Sequence, residues 1–95
     1  MGLSEMEKLL LQAQLLLPRP CVEKIETGKV NTGSLKMFEE FIYHSEFELA
    51  LDELEALGLL NHCKEDFWEI LSRIAQEMNL SQHVLRYEHH IRSLR

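Results

Sequence analysis

The chain has 95 residues, of which 45% are hydrophobic and 27% charged, and it carries a formal charge of −6. That length suits one domain with a modest core, able to bury roughly 60–65% of its unfolded surface, and the composition excludes a disordered chain. The acid excess disfavours direct binding to phosphate backbones and favours a basic partner, and no stretch reaches membrane-spanning length.

Leucine, glutamate and alanine recur while glycine and proline are scarce, and no stretch alternates as a strand would. The fold class read from this is all-α: a single domain over residues 1–95, built as a bundle of about five helices. At the N-terminus, LLLQAQLLL does not read as a secretory signal. Glu5 and Glu7 stand where basic residues would lead, Gln12 and Gln14 interrupt the run, and Pro18-Arg19-Pro20 replaces a small-residue cleavage site. Gly2 is no myristoylation acceptor, because position 6 is Met6 rather than Ser or Thr. The expectation is a cytoplasmic protein whose two cysteines, Cys21 and Cys63, are reduced thiols.

Ser4 and Glu7 form a capping box that predicts a helix over residues 5–17, with Met6, Leu10, Ala13 and Leu17 as its inner stripe. A short helix is expected over 21–26, then a loop marked by Gly28 and Asn31-Thr32-Gly33. Ser34 caps a helix over 35–44, with Met37, Phe38, Phe41 and Ile42 inward. After a turn at His44-Ser45, Phe47, Ala50, Leu51, Leu54 and Leu57 share one face of a helix that Gly58 and Asn61 end near residue 59 or 60. The next helix covers 65–79, on the stripe Phe67, Ile70, Leu71, Ile74 and Met78. Ser81 is expected to cap the last helix, with Val84, Tyr87, Ile91 and Leu94 inward.

The sequence offers little chemistry. His62-Cys63 and His89-His90 are chain neighbours that point apart on any regular element, and His83 and His90 lie two helical turns apart. No HExxH, CxxC, GxSxG or glycine-rich phosphate loop is present. The expectation is a binding protein, not an enzyme, with no cofactor and no metal.

One feature asks for a partner. In HSEFELALDELEALG, residues 44–58, Glu48, Asp52 and Glu55 follow one another at i, i+4 and i+7, forming a carboxylate row opposite the leucine face. Glu53 is placed on the far flank near Leu49 and Ala56, Glu46 in the first turn, and Glu39 and Glu40 just upstream. No lysine or arginine occurs between Lys36 and Lys64. Like charges at i, i+4 weaken a helix by a few tenths of a kcal/mol each, a penalty that makes sense if a cationic surface docks there. The candidate contact set is therefore Glu39, Glu40, Glu46, Glu48, Leu49, Asp52, Glu53 and Glu55, with the flank of Trp68, His44 and His62 extending it. Reversing Glu48, Asp52 and Glu55 to lysine is expected to leave the fold intact and weaken binding.

The segment FEEFIYHSEFELALDELEALG followed by DFWEILSRIAQEMNLSQHV resembles MafI-type immunity proteins and the helical immunity proteins of bacterial contact-dependent growth inhibition systems. The matching elements are the turn His44-Ser45-Glu46-Phe47, the phrase Leu49-Ala50 with Leu54, and Met78-Asn79-Leu80, within about residues 36–85. Ser45 stands where glycine is commoner. The resemblance implies a bacterial cytoplasmic antidote that binds one cognate toxin C-terminal domain 1:1. It further implies a basic nuclease as the toxin, an EndoU-like or RNase A-like ribonuclease being the expectation. The competing reading is a small acidic helical adaptor or regulator that binds another protein. A tetratricopeptide scaffold is disfavoured because one repeat-like phrase is present where about three are needed.

Overall fold

The computed structural model describes residues 4–24 and 33–95, and among them five helices and no strand. They are α1 (Glu5–Leu15), α2 (Leu35–Tyr43), α3 (Phe47–Leu60), α4 (Glu65–Glu77) and α5 (Ser81–Leu94). Two of them begin at a side-chain cap. Ser4 Oγ accepts from the Glu7 N–H and Ser34 Oγ from the Met37 N–H, so both serine caps form as expected. Leu80 is the cap position of α5, and Ser81, expected there, is instead the first helical residue and caps nothing.

Three helices stop by the same device. Ser45, His62 and Asn79 take φ of 56°, 50° and 59°, the left-handed conformation. Each is followed by an N–H that reaches back across the last turn: Glu46 to Phe41 O, Cys63 to Gly58 O, and Leu80 to Ala75 O. This six-to-one closure satisfies carbonyls that a helix end otherwise leaves bare. It explains why glycine suits position 45. It also corrects the role of Gly58, which lies inside α3 rather than ending it. A Cβ on Gly58 would stand 2.3 Å from Phe67 Cε1 and 3.0 Å from Trp68 Cζ2, so the glycine lets α3 and α4 meet closely.

Residues 21–24 are not helical, contrary to expectation, and the rest of that expected helix and most of the loop lie outside the described residues. The stretch after α1 is held instead by Asn61 at the end of α3. Its Oδ1 accepts from the Val22 N–H at 2.7 Å and its Nδ2 donates to Val22 O at 2.9 Å and Leu57 O at 2.8 Å. A primary amide carries the same donor and acceptor as a backbone unit, so Asn61 pairs with Val22 as a neighbouring strand would.

α2 and α3 form one antiparallel hairpin and α4 and α5 another, and α1 packs across α4 and α3. All five helices feed one buried cluster, from Leu9, Leu10 and Ala13 through Phe38, Ala50, Leu51, Leu54 and Leu57 to Phe67, Trp68, Leu71, Ile74, Tyr87 and Ile91. Met6, Met37, Ile42, Phe47, Ile70, Met78 and Val84, expected in the core, are half-buried at its margin, and Leu94 is exposed. The radius of gyration, 12.4 Å, agrees with the roughly 12 Å that scaling gives for 95 residues in one compact body. No helix among the described residues is long and apolar enough to cross a membrane.

Candidate binding surfaces

The carboxylates of the acidic stretch divide into three environments. Glu53 is fully buried, not on an outward flank. Its Oε2 accepts from the Gly33 N–H at 3.1 Å, while Oε1 is buried without a hydrogen-bond partner among the described residues. Gly33 approaches so closely, at φ 84°, that a Cβ there would lie 2.6 Å from Leu60 Cδ1. Glu53 therefore joins α3 to the entry of α2 and offers nothing to a partner. The sequence placed it outside because its helical neighbours Leu49 and Ala56 read as outward. Leu49 is half-buried against the core, so the apolar face of α3 is broader than the stripe of leucines and alanine suggested.

Asp52 and Glu55 face α5. His83 Nε2 lies 2.7 Å from Asp52 Oδ1, and the Arg86 guanidinium spans both oxygens of Glu55, at 3.0 Å to Oε2 and 2.9 Å to Oε1. The Tyr87 hydroxyl donates to Glu55 Oε1 at 3.0 Å. Both pairs are 31 residues apart in sequence, so α3 and α5 run parallel, in register, with α4 returning between them. The cationic surface that the carboxylate row called for is, for these two residues, supplied within the chain. The signal was present as two i, i+3 pairs of opposite charge, Asp52/Glu55 and His83/Arg86, on separate amphipathic helices. Only the tertiary fold brings them together. Reversal of Asp52 and Glu55 is therefore expected to disturb the bundle, contrary to the reading that these positions were free.

Burial and the Glu55 charge raise the Tyr87 phenol far above its ordinary value, so it stays a donor throughout the physiological range. The Glu55 hydrogen bond likewise raises Arg86. Between α3 and α5 a cleft of about 490 Å³ opens, lined by Asp52, Glu55, Ala56, Leu59, His83 and Arg86. One ligand atom from each of Asp52, Glu55 and His83 can be chosen so that all lie within 4.8 Å of one another. The histidine pairs considered from sequence form no such group among the described residues.

Glu39, Glu40, Glu46 and Glu48 form the third environment. All four are exposed and none makes an ion pair among the described residues. They flank the turn between α2 and α3. Tyr43, the last residue of α2, is 84% exposed beside them, its ring edge-on to His44 at 5.1 Å. The negative end of the α2 dipole emerges at the same turn, and no basic residue occupies that last turn. Tyr43 was not among the residues singled out from sequence. Trp68, expected at the rim, is buried, its indole 4.3 Å from the His90 ring and its Nε1 without a hydrogen-bond partner among the described residues.

The chain gives no significant match to family models, to characterised proteins or to solved structures. The likeness to immunity proteins rests on the sequence phrases alone.

Cys21 and Cys63 are free. Burial, with Cys21 and Asp66 nearby, pushes the Cys63 thiol up to about 11, and burial also raises Cys21 despite a hydrogen bond from Asn61. Thiolate chemistry is suppressed at both.

Proposed function

We propose that this chain is an immunity-type antidote that binds a basic toxin domain 1:1 in the bacterial cytoplasm, through the α2–α3 corner. The observation that carries the reading is the set of four exposed carboxylates, Glu39, Glu40, Glu46 and Glu48, that makes no ion pair among the described residues while α5 takes Asp52 and Glu55. Unpaired charges of one sign around a helix end steer an oppositely charged partner and speed its encounter. Tyr43 supplies the amphipathic aromatic that interface anchors favour. Leu49 is half-buried and adds little beyond the α3 surface it supports. A nuclease, which must hold phosphates, is the class of toxin whose charge suits this corner. The sequence resemblance to toxin antidotes points the same way.

The mechanism is stoichiometric occlusion: carboxylates set the association rate, and an apolar anchor slows dissociation. Nanomolar affinity is within reach of an interface of about 1,600 Å². The test is co-expression with toxin domains encoded beside its gene, scored by growth. The wild-type chain should restore growth against one of them. A folded variant carrying Glu39→Lys, Glu40→Lys, Glu46→Lys and Glu48→Lys should not, and full protection by that variant would remove the corner from the interface.

A further inference from the structure

We propose that Asp52, Glu55 and His83 form a binding site for one divalent transition-metal ion of the zinc class, at the mouth of the α3–α5 cleft. The proposal is independent of the toxin reading. Three ligands of mixed type converge there from two rigid helices. Asp52 and Glu55 stand one turn apart on α3, and His83 lies in the first turn of α5. Their ligand atoms fall within 4.8 Å of one another, and His83 Nε2 and Asp52 Oδ1 already approach to 2.7 Å. Zinc bonds of about 2.0–2.2 Å put tetrahedral ligand atoms about 3.4 Å apart, so small side-chain rotations that part His83 from Asp52 slightly and adjust Glu55 complete three of four positions.

Glu55 is held in a manner that suits a ligand. Arg86 and Tyr87 grip it from the α5 side, two bonds falling on Oε1 and one on Oε2. A carboxylate oxygen accepts along two lone pairs, so Oε2 keeps one free. Partners that orient a ligating carboxylate are a regular part of metal sites. Asp52 and Glu55 carry two negative charges, and with His83 neutral, as a ligand must be, Arg86 balances only one of them. The cleft opens to solvent, which supplies water for the remaining position. An imidazole with two carboxylates favours borderline ions such as zinc over magnesium or calcium, which prefer all-oxygen sets.

The sequence missed this group because it sought histidine pairs within single elements, whereas here the histidine meets carboxylates 31 and 28 positions upstream. A bound ion would fasten α3 to α5, two helices joined by long side chains rather than by close backbone packing.

The test uses the whole chain titrated with zinc chloride by calorimetry, with cobalt absorption as a second readout of coordination. One equivalent should bind. His83→Gln, which keeps a polar group against Asp52, and Asp52→Asn should each weaken binding about tenfold or more while circular dichroism shows an intact fold. A double variant of the other helical histidines, His89→Ala with His90→Ala, should bind as wild type does. Zinc should raise the melting temperature of the wild type and of that double variant, but not of His83→Gln. No binding by the wild type, or binding that survives both His83→Gln and Asp52→Asn, would overturn the site, as would its loss in the His89/His90 variant alone.

Discussion

Gly58 shows how a single missing methyl sets a helix crossing. Phe67 and Trp68 are both fully buried, so neither ring has space to retreat from a new Cβ 2.3 Å and 3.0 Å away. Gly58→Ala should therefore destabilise the protein by about 1–3 kcal/mol in urea unfolding, although alanine is the better helix former. Glu53 and Glu48 give a matched contrast on one helix. Glu53→Lys buries an unpaired ammonium and should cost more than about 3 kcal/mol, enough to unfold much of the population. Glu48→Lys, on the exposed face, should change stability by less than about 0.5 kcal/mol. Cys63 supplies a pH dependence. Its thiol is raised from 9.0 to about 11, so the folded state holds its proton more tightly than the unfolded chain. Its stabilising contribution is complete below pH 9 and lost as pH rises towards 11. Chemical unfolding followed across that window should show the decline, and Cys63→Ser should remove this part of it.

At the scale of elements, the α3–α5 seam is the polar counterpart of the apolar α4–α5 seam. Trp68, Tyr87 and His90 fill the second with rings 4.3–5.9 Å apart, whereas the first is spanned by carboxylates, a guanidinium and an imidazole. Glu55 joins both systems, because its Oε1 accepts the Tyr87 hydroxyl as well as an Arg86 N–H. Glu55→Ala strands a buried phenol and frees the guanidinium, and should cost about 1.5–3 kcal/mol by thermal unfolding. Arg86→Ala, which leaves Tyr87 with its acceptor, should cost less, because the guanidinium is half-exposed. Equal losses in the two variants would mean that the tyrosine bond contributes nothing.

For the whole molecule, the formal charge of −6 is distributed unevenly in its consequences. Glu53 acts as a structural acceptor, Asp52 and Glu55 are answered by α5, and Glu65 and Glu69 are approached by Arg95 at the end of the chain. Among the described residues, Glu39, Glu40, Glu46 and Glu48 are left exposed and without an ion pair at the α2–α3 corner. Association with a basic partner should therefore slow steeply as salt rises from 50 to 500 mM, the Debye length shrinking from about 14 to about 4 Å. The quadruple Lys variant at that corner should lose this slowing with salt, read by stopped-flow, while keeping its melting temperature.

The helices were legible because their causes are local. Serine caps, apolar repeats at 3.6-residue spacing and the polar breaks between them lie within a few residues of what they specify, and they set the all-α class, the caps at Ser4 and Ser34, and the boundaries of α3 to within a residue. The destinations of the side chains were not legible in the same way. Whether a glutamate at position 48, 53 or 55 meets water, a glycine N–H or an arginine depends on which helix lies across from it. That is fixed by packing among elements about 30 residues apart, so one acidic helix, uniform on paper, became a buried strut, an ion-paired seam and a bare corner only when the chain closed on itself.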